Sequence, residues 1–138
     1  MRFSIAVAAA CFMFLDAISP VGAEDDPHLG MLEYEISCME CHGLDGRGNG
    51  PRARGLKTAP ADLTHIKRRN NGTFPYQAIV ALIDGRWLDA AHGEREMPVW
   101  GTRYRSGAAT SQPADWIDKR VGAQIAALAR YVETLQED

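Results

Sequence analysis

Cysteine is scarce in this chain: there are three among 138 residues, and none after position 41. A disulfide framework is therefore excluded for most of the molecule. A closed four-ligand zinc site also lacks the second paired cluster it normally needs. No alternation of apolar and polar residues is long enough to read as a strand, so the cysteines have no βαβ context of the kind a redox dithiol occupies. Beyond the N-terminal segment no apolar run approaches the roughly 20 residues of a membrane span. No acid–base pair or activated nucleophile appears at a telling spacing. Acids are almost missing from the middle, where Asp62 is the only one between Arg47 and Arg69.

The N-terminus begins with a short basic start, Met1-Arg2, then an almost wholly apolar run from Phe3 to Leu15, then small or compact residues at Val21-Gly22-Ala23. This is the pattern of a secretory signal peptide, residues 1–23, cleaved after about Ala23. Cys11 lies inside it and leaves with it. A lipoprotein reading of Ala8-Ala9-Ala10-Cys11 would cut the apolar run in half. Residues 24–138 are long enough for one domain that buries roughly two-thirds of its unfolded surface. The net charge is −3. Arg47, Arg52, Arg54, Lys57, Lys67, Arg68 and Arg69 cluster centrally, while Glu24, Asp25, Asp26, Glu33 and Glu35, then Glu133, Glu137 and Asp138, crowd the ends. The basic stretch reads either as a solvated loop or as a face that steers an acidic partner.

The two cysteines that remain stand in Cys38-Met39-Glu40-Cys41-His42. Two thiols three positions apart, followed at once by an imidazole, form the signature of c-type haem attachment. One helical turn separates the sulfurs, so both can reach the two vinyl groups of one porphyrin, and His42 can offer a ring nitrogen to the iron. A large apolar porphyrin would also supplement a core that the glycine-rich middle cannot build alone.

Around the motif the periodicity is helical. Asp26-Pro27 supplies a cap and a first-turn proline. Leu29, Leu32 and Ile36 then share one stripe, and Gly30, Tyr34 and Cys38 stack along a neighbouring line. Val121, Ile125, Leu128, Val132 and Leu135 make the clearest amphipathic helix, with Leu128 and Tyr131 placed to embrace a helix that carries a glycine. Thr73-Phe74-Pro75 opens a third helix with Ile79, Val80, Leu82 and Ile83 in its body and Gly85 as its stop. Residues 42–74 form a long loop region, with a further short turn beginning at Asp62-Leu63-Thr64. The polar stretch Thr102–Asp118 reads as an extra surface loop anchored by Tyr104 and Trp116. Trp87 and Tyr104 read as packed aromatics. The fold class is all-α.

These residues resemble the class I c-type cytochromes, small mono-haem proteins whose N- and C-terminal helices cross. The likeness covers essentially all of residues 24–138. Gly30, Tyr34, Cys38, Cys41, His42 and Gly43 match the family's first helix and attachment site, and Leu128 and Tyr131 its last helix. The runs His42–Pro51 and Pro60-Ala61-Asp62-Leu63-Thr64 are similar to bacterial periplasmic members. The resemblance implies that the Pro60 carbonyl accepts a hydrogen bond from the non-ligating nitrogen of His42.

The distal ligand is a separate question. Met39 lies within the attachment loop and Met31 on the helix before it, so neither can cross to the other haem face. Met97 lies far enough along the chain to do so. Its context, Met97-Pro98-Val99-Trp100-Gly101, is similar to the family's MPxW ligand loop. An ordinary core methionine is the competing role for Met97. His92 and His65 are rival ligands, whereas His28 lies on the wrong helix. Ligation by His42 and Met97 would saturate the iron and leave no position for substrate. The implied function is one-electron transfer between a donor and an acceptor protein in the periplasm, with covalent haem c as cofactor, no nucleic acid partner and no enzymatic activity of its own. The chain would be a monomer or a subunit of a redox complex. The alternatives are a haem subunit of a periplasmic dehydrogenase or oxidase, and a gas-binding or peroxide-reactive haem with a labile sixth ligand.

Overall fold

The computed structural model describes residues 26–86 and 96–137; the segment 1–23 expected to be a leader, with Cys11, and also Trp87 and His92, lie outside the described residues. Among the described residues six α-helices follow one another: α1 Pro27–Ser37, α2 Met39–His42, α3 Ile66–Arg69, α4 Tyr76–Asp84, α5 Trp100–Ser106 and α6 Ala114–Thr134. A 3₁₀ turn spans Ala53–Gly55, and the described residues contain no strand. The protein is all-α, as its periodicity implies.

α1 starts where the sequence places it. The Asp26 carboxylate accepts the His28 and Leu29 amides at 2.9 and 3.4 Å, satisfying two of the donors that a helix start leaves unpaired. Its buried line is Gly30, Glu33 and Tyr34, with Cys38 just beyond its end. The apolar stripe points the other way: Leu32 is 53% exposed and Ile36 70%. The reason lies at Gly30. A methyl group there would overlap the Ala127 carbonyl oxygen of α6 and sit 2.9 Å from Tyr131 Cβ. Only glycine permits this crossing, and the crossing sets the rotation of α1. Tyr34 then lies fully buried, its ring 5.1 Å from that of Tyr131.

α6 buries the stripe read from its spacing: Val121, Ile125, Leu128 and Val132 are all inside. α4 begins at Tyr76, directly after Pro75, and stops at Gly85, whose left-handed φ of 69° ends it. Ile83 contributes the buried side chain of α4, with Ile79 and Val80 packed beside the core.

The stretch from Thr102 to Asp118 is not a surface loop. α5 occupies its first part and α6 starts after Pro113. Trp100 and Tyr104, one turn apart, pack together at 5.7 Å on the core, which gives α5 an apolar side despite its arginines. Arg105 and Arg86 both meet the Asp118 carboxylate, and Arg86 also grips Asp84 at 2.6 Å, joining α4, α5 and α6.

The long loop after α2 is held from the far end of the chain. Thr64 is buried, its carbonyl accepts the Glu137 amide at 2.8 Å, and Gln136 bonds both the Leu63 carbonyl and the Lys67 amide. Asp62 makes the turn expected there, its carboxylate accepting the Thr64 amide and hydroxyl at 2.8 and 2.7 Å.

Candidate functional site

α1 breaks at Cys38 and restarts as α2, so Cys38 and Cys41 stand at opposite ends of a single turn. The Cys41 and His42 amides both bond the Cys38 carbonyl, at 3.1 and 2.9 Å. A four-residue helix leaves its last carbonyls unpaired. Here the loop that follows folds back to cap them: the Arg52 amide bonds Glu40, Gly50 bonds Cys41 and Gly48 bonds His42, at 2.8, 3.1 and 2.8 Å. The Tyr34 hydroxyl donates to the Gly43 carbonyl at 2.7 Å, tying the same loop to α1.

Cys38 is 8% exposed, Cys41 and His42 half-buried. Burial pushes the Cys38 thiol up to about 12, with Glu33 and Cys41 adding to the effect. A thiol so placed stays protonated at neutral pH, the opposite of the depressed thiol that a dithiol oxidoreductase uses. For His42, burial pulls the imidazole below its usual range, and its bond to Ala61 opposes the shift. Burial thus favours the neutral ring over the charged one.

The partner of His42 differs from the expected one. Its Nδ1 lies 3.0 Å from the carbonyl oxygen of Ala61, not of Pro60. A carbonyl can only accept, so Nδ1 carries the hydrogen and Nε2 is the nitrogen with the free lone pair. The Pro60 carbonyl is turned toward Gly48 instead, where φ is +76° and a methyl group would overlap that oxygen. Because the loop passes Gly48 so closely at Pro60, the next carbonyl along reaches the imidazole.

Met97 is half-buried and packs against the same core cluster that contains Cys38, Ile83 and Trp100. Trp100, three residues on, is buried at the start of α5, and the Arg103 guanidinium lies 5.3 Å over its ring. The Tyr104 hydroxyl donates to Ser37 Oγ at 3.1 Å, directly before the cysteine pair, and burial raises its pKa. His65, a rival ligand in sequence terms, has Nδ1 3.1 Å from Asp62 Oδ2 and 3.0 Å from the Thr64 hydroxyl, with Nε2 3.8 Å from Glu137. His28 is exposed on α1.

Three partners at this site went unread in the sequence. They are Ala61, the buried Glu33 held by Gln124 at 2.7 Å, and Glu96, whose carboxylate accepts the Lys57 and Thr58 amides at 2.7 Å each. Position alone hints at Glu96, which immediately precedes Met97. The central bases are partly committed within the molecule: Arg47 pairs with Glu137, Arg52 with Glu40 at 3.2 Å, and Arg69 bonds the Asp62 carbonyl. Comparison of the chain with protein-family models, with curated proteins and with solved structures found no match.

Proposed function

We propose that this chain is an exported, periplasmic one-electron carrier of the class I c-type cytochrome kind. Cys38 and Cys41 would hold one haem through thioether links, and His42 and Met97 are the residues that would bind its iron. The observation that carries the reading is the turn from Cys38 to His42, with the imidazole fixed through Nδ1 on the Ala61 carbonyl and its Nε2 lone pair uncommitted.

The chemistry of the donor set fits. A thioether has no acidic proton, so the burial that opposes a thiolate at Cys38 places no such charge penalty on a linked sulfur. A neutral imidazole held through its second nitrogen has a fixed orientation and a more basic ligating nitrogen. Met97 supplies a soft sulfur against the same apolar cluster as Cys38. The haem would supply a one-electron couple whose potential its axial ligands tune, a thioether raising it relative to two imidazoles. Beside the site Trp100 and Tyr34 are buried, and the loop over α2 caps the carbonyls of the attachment turn.

Intact-mass measurement of exported material tests the proposal, with an added porphyrin mass and a haem stain that survives denaturing electrophoresis expected. An unmodified polypeptide mass overturns it. In Met97→Ala the iron–thioether charge-transfer band of the oxidised protein should vanish.

A second reading, a haem subunit of a periplasmic dehydrogenase or oxidase, is favoured by the outward face of α1, where Met31, Leu32 and Ile36 are exposed. Co-elution with a large catalytic chain in size-exclusion chromatography supports that reading. A lone monomer returns the assignment to a free carrier.

A further inference from the structure

We infer that Glu96 is a positioning residue for Met97, clamping the methionine segment onto the same loop that orients His42. The inference rests on the proposed ligand role of Met97.

Glu96 is the residue directly before Met97; it is solvent-exposed, and its carboxylate reaches the backbone of residues 57 and 58. Oε1 accepts the Lys57 amide and Oε2 the Thr58 amide, both at 2.7 Å. The N–H groups of two consecutive residues are matched by the two oxygens of one carboxylate, a charge-assisted pair of bonds. Three residues beyond Thr58, the same loop presents the Ala61 carbonyl to His42 Nδ1. A single loop, 57–61, therefore carries the anchor of the imidazole at one end and the anchor of the methionine segment at the other. The bonds link positions 38 and 39 residues apart in sequence. Their role is to limit the excursions of the segment carrying Met97.

Glutamine is the discriminating substitution, because it keeps the size but has one acceptor oxygen, so its amide NH₂ would face a backbone N–H. Aspartate keeps both oxygens on a shorter arm. Glu133, half-buried on α6 and paired with Arg130 at 3.1 Å, offers a control acid distant in role.

The experiment uses the full haem-loaded chain in four variants: Glu96→Gln, Glu96→Asp, Glu133→Gln and Met97→Ala. In Glu96→Gln the fraction of molecules with Met97 detached should rise roughly threefold to tenfold. This appears as a charge-transfer band that fades at lower temperature while the far-ultraviolet helical signal keeps its own midpoint. Carbon monoxide should bind the reduced variant faster, and the Lys57 and Thr58 amides should exchange faster by a similar factor. Glu96→Asp should recover most of the change, and Glu133→Gln should show none. An unchanged band together with unchanged exchange at Lys57 and Thr58 in Glu96→Gln overturns the clamp, as does an equal effect in Glu133→Gln. Survival of the band in Met97→Ala overturns instead the ligand reading beneath it. The exchange rates at Lys57 and Thr58 separate the two failures.

Discussion

At Gly30 two opposing effects meet. Alanine is the better helix former by up to about 1 kcal/mol. Yet a methyl group at this position would overlap the Ala127 carbonyl oxygen and crowd Tyr131 Cβ at 2.9 Å, and neither atom is the free end of a flexible side chain. Forcing extra carbon into a closed contact costs about 1–3 kcal/mol, so the steric cost exceeds the gain in propensity. Gly30→Ala should therefore lower stability, read as a reduced urea midpoint with an unchanged slope. The same crossing was visible in the sequence as a glycine, a tyrosine and a cysteine spaced by four. The partner of His42 was not. Pro60 and Ala61 are adjacent, and the choice between their carbonyls depends on how closely the loop passes Gly48, a backbone detail that composition does not encode.

Helices were legible wherever one side of the element is both apolar and buried. α6 satisfies this along its length, and its stripe of Val121, Ile125, Leu128 and Val132 is the core. α1 does not: its apolar stripe faces outward because backbone contact at Gly30 fixes its rotation. α5 went unseen because arginines surround Trp100 and Tyr104, whose burial comes from tertiary packing. This difference between helices is measurable. Leu128→Ala empties a fully buried site and should cost about 2–5 kcal/mol. The pair Leu32→Ser and Ile36→Ser, on the open face of α1, should change the stability of the isolated chain by no more than about 0.5 kcal/mol each. Thermal unfolding of the three variants checks the orientation of α1 directly.

Across the whole molecule, the segregation of charge in the sequence is partly resolved by folding. The acidic C-terminus returns to the basic middle, where Glu137 meets Arg47 and the Glu137 amide bonds Thr64. Exposed pairs of this kind are worth at most about 1 kcal/mol each. The seam between the end of α6 and the loop over residues 62–69 therefore depends on its hydrogen bonds, and Asp62 braces the loop side of it by bonding Thr64 and His65. The Thr64 hydroxyl lowers the Asp62 carboxyl to about 2, with the Thr64 amide and His65 adding to the shift. A carboxyl depressed in the folded state stabilises it most above its unfolded value of about 3.9, and that contribution disappears as pH falls toward the folded value. The native protein should thus lose stability relative to Asp62→Asn between about pH 4 and about pH 2, with a constant difference at higher pH. Amide exchange should locate the early opening at the Thr64 and Glu137 seam, while the crossing of α1 and α6 at Gly30, Tyr34 and Leu128, which Asp62 does not touch, keeps its protection relative to Asp62→Asn through the same range. A difference between native and Asp62→Asn protein that ignores pH across this window would mean that the carboxylate does not hold the seam.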